Sequence, residues 1–155
     1  MTIATTLVHE LAKHSIAYDV VTHSHANSSL HSANSAHIPT DKMIKPVVLE
    51  DDLGFVMALV PANQYVKIDK LNIILNRKME LADEAELSHI FSDCERGAFP
   101  PIGDAYGMNT IVDYDNDRCE DVYIESGNHT DLLHLSRDDF RKLVKSSRHA
   151  NIGMH

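Results

Sequence analysis

The run Gly54 to Val60 (GFVMALV) is apolar almost throughout, and it follows Lys45 to Glu50 (KPVVLE) after only Asp51-Asp52-Leu53. Both runs read as strands, and the acidic tripeptide between them reads as a hairpin turn. A strand without polar alternation has no face to offer water, so the second run is expected to be buried on both faces. A chain that carries such a strand must cover both sides of a sheet with helices or a second sheet.

The flanking sequence supplies that cover. Leu7, Val8, Leu11 and Ala12 recur at helical spacing and predict an amphipathic first helix. Tyr18 to Thr22 (YDVVT) reads as a strand. His23 to His37, rich in Ser, His, Asn and Ala, has room for a short helix, and Pro39-Thr40-Asp41 reads as the start of another. Asp69 is placed to cap a helix carrying Leu71, Ile74 and Leu75. Asp83 with Glu86 forms a capping-box pattern ahead of Leu87, Ile90 and Phe91.

Gly97 to Gly103 (GAFPPIG) sets two adjacent prolines between glycines and reads as a stiff connector. Three further strands are expected at Met108 to Asp113, Asp121 to Glu125 and Asp131 to Leu135. Ser136 with Asp139 opens a last helix to about Lys145, and residues 146–155 read as a frayed, flexible tail. The irregular alternation predicts one α/β (α+β-like) domain over residues 1–145. Its sheet is mixed and mostly antiparallel, with about six or seven strands flanked by helices, and not of Rossmann or barrel order.

The 155 residues suit one core. Acids outnumber bases 23 to 14, a net charge of -9, which argues against gripping duplex DNA. No apolar stretch is long enough to span a bilayer, and the N-terminus lacks a signal-peptide pattern. Cys94 and Cys119 make neither a disulfide framework nor a CxxC knuckle. A reduced, cytoplasmic protein is the expectation.

Standard catalytic patterns are missing. Ser126-Gly127 lacks the GxSxG context, and no phosphate-loop or dinucleotide fingerprint occurs. The paired acids Asp51-Asp52 and Asp138-Asp139 sit at a turn and a helix start, where capping explains them. Four of the 11 histidines, His23, His25, His31 and His37, fall within fifteen residues. Their spacing fits no metal motif, so they read as solvated loop residues and no metal or other cofactor is expected. A His-rich metal-binding protein is the weakest of three functional readings.

What remains is an ordered constellation. Lys45-Pro46-Val47-Val48-Leu49 precedes the acidic turn, and Met57 to Pro61 precedes a charged stretch. Leu81-Ala82 lies before the capped helix, and Gly97 to Pro101 forms a GxxxP loop. Asp113 ends a strand, Val122 to Gly127 forms a strand followed by a glycine turn, and Leu135 to Phe140 forms a strand-to-helix corner. In order and spacing, from about Thr5 to Lys145, the chain resembles the YbaK-type aminoacyl-tRNA deacylases, the family that includes the editing domain of some prolyl-tRNA synthetases.

The resemblance implies hydrolysis, in trans, of the ester joining a wrongly attached amino acid to tRNA. A synthetase pocket rejects a smaller apolar amino acid by only ~1–3 kcal/mol, so a second sieve is required. In such enzymes a water attacks with help from the substrate's ribose hydroxyl and from loop backbone groups. Lys45 corresponds to the family's substrate-holding lysine, and Gly97 and Pro101 to the residues that fix the loop. Ala98, Phe99, Pro100, Gly127 and His129 are the further substrate-binding candidates. Proline at 100 and Ile102, where an aromatic often follows, depart from the pattern and obscure the amino-acid preference. The implied partner is the single-stranded 3′ end of an aminoacyl-tRNA, with a synthetase or other RNA-binding protein supplying grip that an acidic surface lacks. The rival from another class is a non-catalytic binding or regulatory module of the same fold.

Overall fold

The computed structural model describes residues 2–155. Helix α1 (Thr5–Lys13) leads to strand β1 (Asp19–Thr22), helix α2 (Ser29–Ser35) and the hairpin of β2 (Ile44–Asp51) and β3 (Gly54–Pro61). Then come β4 (Tyr65–Val66), α3 (Ile68–Leu75), β5 (Glu80–Leu81) and α4 (Glu84–Ile90). The chain ends with β6 (Asn109–Asp113), β7 (Asp121–Glu125), β8 (Asp131–Ser136), α5 (Arg137–Leu143), β9 (Arg148–Ala150) and β10 (Gly153–Met154).

The predicted hairpin is the centre of the molecule. Its register pairs Asp51 with Gly54 and leaves Asp52-Leu53 as the turn. Gly54 supplies the left-handed φ of 130° that so tight a loop needs. Asp51 holds the turn from within, accepting from the Leu53 N–H at 2.9 Å, and is itself held by the Arg77 guanidinium, whose Nε lies 2.6 Å away.

The hairpin belongs to a five-stranded sheet of order β5-β2-β3-β6-β9, in which β6 runs parallel to both neighbours. A second, antiparallel sheet of order β1-β8-β7 touches it through a bridge between Met43 and Tyr123. Strands β10 and β4 form a short third pair. The fold is therefore mixed, mostly antiparallel α/β, as expected. The strand count exceeds the expected six or seven because four pieces of two or three residues (β4, β5, β9 and β10) are too short to show any periodicity.

Strand β3 is buried on both faces. Met57 and Leu59 enter one core with Leu7, Leu11, Phe91 and Phe140, while Val56, Ala58 and Val60 enter a second with Leu71, Ile111 and Ile152. Each fully buried aliphatic side chain here contributes about 1.5–3 kcal/mol over leaving it in water.

Three local expectations are corrected. Asp69 does not cap α3: Lys67 is the cap residue without a side-chain bond, and Asp69 lies in the first turn, where it complements the helix dipole. Pro39 starts only a single turn, closed by Lys42 N–H donating to the Pro39 carbonyl at 3.1 Å. Residues 146–155 are not a frayed tail, because they form β9 and β10 and bury Ile152 completely. The Asp113 carboxylate anchors them, one oxygen accepting from the N–H groups of Ile152 and Gly153, each at 2.7 Å.

Candidate active site

Lys45 is the second residue of β2, opposite Val60. Its side chain is half-buried. Its Nζ donates to the Gln64 carbonyl and stands 4.9 Å from the centre of the Tyr65 ring. Partial burial pushes its pKa below the ordinary lysine value. An ammonium has three donors and the protein engages one, so two remain for a ligand.

The loop after α4 is rigid for readable reasons. Gly97 adopts φ 85°, and a Cβ there would lie 3.0 Å from the Asn27 carbonyl oxygen. Ala98 is wholly buried, its N–H donating to the Glu95 carbonyl at 3.1 Å. Phe99 stacks on Phe91 with ring centres 4.3 Å apart. Pro100 and Pro101 are buried and carry no N–H. Within Gly97–Pro101, the N–H groups without a protein acceptor are therefore those of Gly97 and Phe99.

Lys45, Gly97 and Phe99 share one cleft of about 290 Å³, whose walls also include Asn27, Val48 and Leu87. A larger depression of about 810 Å³ lies around Asp51, Ile73 and Arg77, but it includes none of the predicted residues and is floored by an internally satisfied ion pair. The sequence profile described as "Aminoacyl-tRNA editing domain" matches residues 23–143, which include every part of the cleft. The chain belongs to this family.

Solved structures agree on the fold of this editing domain. A protein proposed to be a trans-editing enzyme for prolyl tRNA synthetase superposes with a TM-score of 0.82 at 15% identity, covering 98% of this chain and 97% of its own. The hypothetical protein APE2540 gives 0.83 at 14% identity, over 96% of this chain and 99% of its own. A protein from Marinobacter aquaeolei VT8, described as acting in signal transduction, gives 0.79 at 21% identity over 97% of this chain. This chain spans only 30% of that protein's length. No curated protein matches the chain significantly.

The remaining candidates of the editing domain lie off the cleft wall. Gly127, with φ 103°, is where the N-terminal segment crosses: a Cβ there would lie 2.7 Å from that of Ala4, so close packing explains the glycine. His129 is buried, its backbone N–H donating to Glu95 Oε2 at 3.0 Å. Its ring lies behind the Gly97 turn, Cε1 being 3.5 Å from where a Gly97 Cβ would stand. Ala98, Pro100 and Pro101 frame the loop without lining the cleft.

Residue-by-residue reading passed over Asn27, Ser28 and Glu84, which do line it. Asn27 and Ser28 sit in the His-rich segment, whose composition reads as solvated loop. Only the chain's return past Gly97 turns them into a wall. Among the described residues no helix is long and apolar enough to cross a membrane.

Proposed function

We propose that this editing domain hydrolyses the ester of a mischarged aminoacyl-tRNA, acting in trans on the single-stranded 3′ end. The observation that carries the reading is one cleft lined by Lys45, Gly97 and Phe99, the last two being loop residues whose N–H groups have no protein acceptor. Two donors held by a stiff loop suit a developing oxyanion, since they need no reorganisation as charge forms. Lys45, with two unused donors, holds the phosphate or carbonyl region of the terminal adenosine.

A water adds to the ester carbonyl, the bond to the ribose oxygen breaks, and that oxygen takes up a proton. The products are the free amino acid and intact tRNA. The substrate's own neighbouring hydroxyl assists the water, which fits the lack of any nucleophile pair among the cleft residues. Glu84, the one acid on the cleft wall, offers a partner to the α-ammonium of the bound aminoacyl group. Leu87, Val48 and Phe99 offer the amino-acid side chain an apolar surface.

The test is a panel of correctly and incorrectly charged tRNAs incubated with the protein, following release of labelled amino acid. Turnover of one or a few mischarged esters above buffer is expected. Binding without turnover on every ester would replace this reading with a non-catalytic module of the same fold.

A further inference from the structure

The His-rich segment holds no metal motif by itself, yet the fold carries one of its members to partners distant in sequence. His25, from the loop before α2, Glu95, from the turn after α4, and His129, from the turn between β7 and β8, each aim one ligand atom at a common point. Those three atoms all lie within 4.8 Å of one another. The two imidazole rings are tilted by 50° with centres 4.7 Å apart, and His129 Nε2 is 3.9 Å from Glu95 Oε2.

The geometry points to a site for a divalent transition cation of the zinc class, with two imidazoles and one carboxylate as ligands. Ligand atoms at zinc distances of about 2.0–2.2 Å stand roughly 3.4 Å apart in a tetrahedron, so binding draws the three atoms closer together than they stand here. The donor set, two borderline nitrogens and one harder oxygen, suits zinc and its neighbours better than calcium or magnesium. Three protein ligands leave a fourth position for water. His129 is anchored because its backbone N–H is held by Glu95, while His25 is exposed and free to swing in.

The consequence is mechanical. His25 is two residues from Asn27, which lines the cleft and abuts the Gly97 turn. A bound cation ties the 23–28 segment to the turns that carry Glu95 and His129, behind the Gly97 side of that cleft, and so steadies Asn27. This inference stands apart from the deacylase reading, because it concerns metal uptake and not turnover.

Protein made without a histidine tag and treated with chelator is titrated with zinc sulfate by calorimetry, with thermal unfolding followed in parallel. One equivalent is expected to bind and to raise the melting temperature. His25→Gln should abolish the melting shift. Glu95→Gln, whose amide oxygen can still accept from His129, should weaken binding by about tenfold or more. His31→Gln, on α2 and outside the cluster, should change neither. No saturable uptake, or uptake and stabilisation that survive His25→Gln, would overturn the proposal. Neither result decides the deacylase reading, which the tRNA panel tests separately.

Discussion

Lys45 and Gln64 are joined twice over to the rest of the domain. The Lys45 ammonium donates to the Gln64 carbonyl, and the Gln64 side-chain amide donates to Asp115 Oδ2 at 2.8 Å. Gln64 is buried, and its Oε1 occupies the space that a Cβ on Gly153 would fill. The cleft lysine is thus braced by Gln64 and, through it, by Asp115, neither of which is near it in sequence.

Lys45→Ala should leave the fold intact, because the ammonium it removes is already disfavoured by burial. One charge-assisted contact to substrate is worth roughly 1.5–3 kcal/mol, so deacylation should fall on the order of ten- to a hundredfold. Lys45→Arg should also lose most activity, since a planar fork does not replace a compact ammonium. Lys78→Ala, outside the cleft, is the control. Full activity in Lys45→Ala would remove the lysine from the mechanism.

Gly97→Ala tests the loop. A left-handed conformation costs an L-residue roughly 1–2 kcal/mol, and the added methyl must also push back the Asn27 carbonyl. Gly107→Ala makes the matched comparison, because φ there is 79° with open space around the Cβ. Both variants should melt a few degrees lower. Only Gly97→Ala should lower kcat. Equal kinetics in the two variants would mean that the loop conformation does not matter to catalysis.

Glu125 gives a pH dependence with a definite sign. It is almost wholly buried, and neither its carboxylate oxygens nor the Ser32 hydroxyl facing it reach a hydrogen-bond partner. Burial lifts its carboxyl to about 7. The folded protein therefore keeps a proton that the unfolded chain gives up above pH ~4.5. Stability should fall as pH rises from there to about 7 and level off above, a loss on the order of 3 kcal/mol. Glu125→Gln keeps the shape without the charge, so it should raise the urea midpoint at pH 8 and hardly change it at pH 5. The same change at both values would show that ionisation is not the cause.

The C-terminal segment should matter to both stability and activity. Asp113 accepts three backbone N–H groups, those of Asp115, Ile152 and Gly153. Its replacement by Ala leaves them without their acceptor and should cost about 3 kcal/mol in denaturant unfolding. Deleting residues 147–155 removes Ile152 from the second core and Gly153 from beside Gln64. A protein that loses neither stability nor activity on this deletion would separate the tail from the cleft.

Much of the fold was legible because the signals are local. The β2–β3 hairpin follows from two apolar runs and the turn read at Asp51-Asp52-Leu53, which the structure shortens to Asp52-Leu53 by pairing Asp51 with Gly54. Asp83 and Ser136 cap helices where they were expected to, accepting from Ala85 and Asp139 N–H groups. The tail was misread because short strands have no periodicity to detect, and a buried carboxylate on β6 supplies what its own residues do not. Likewise Asp69, a good cap by type, lies two residues inside the helix, because α3 begins at Ile68.

By itself the sequence determined the longer elements, the two-sided burial of β3 and the candidates Lys45, Gly97 and Phe99, since side-chain pattern, turn chemistry and capping act over a few residues. Tertiary structure alone decided which of those residues meet. Lys45 reaches the cleft of Gly97 and Phe99 because β2 runs beside the loop after α4, and Gly127 leaves it because Ala4 packs on that turn. His25 finds Glu95 and His129 for the same reason. Contacts between distant segments are set by how whole faces bury their apolar area, and no spacing along the chain encodes that.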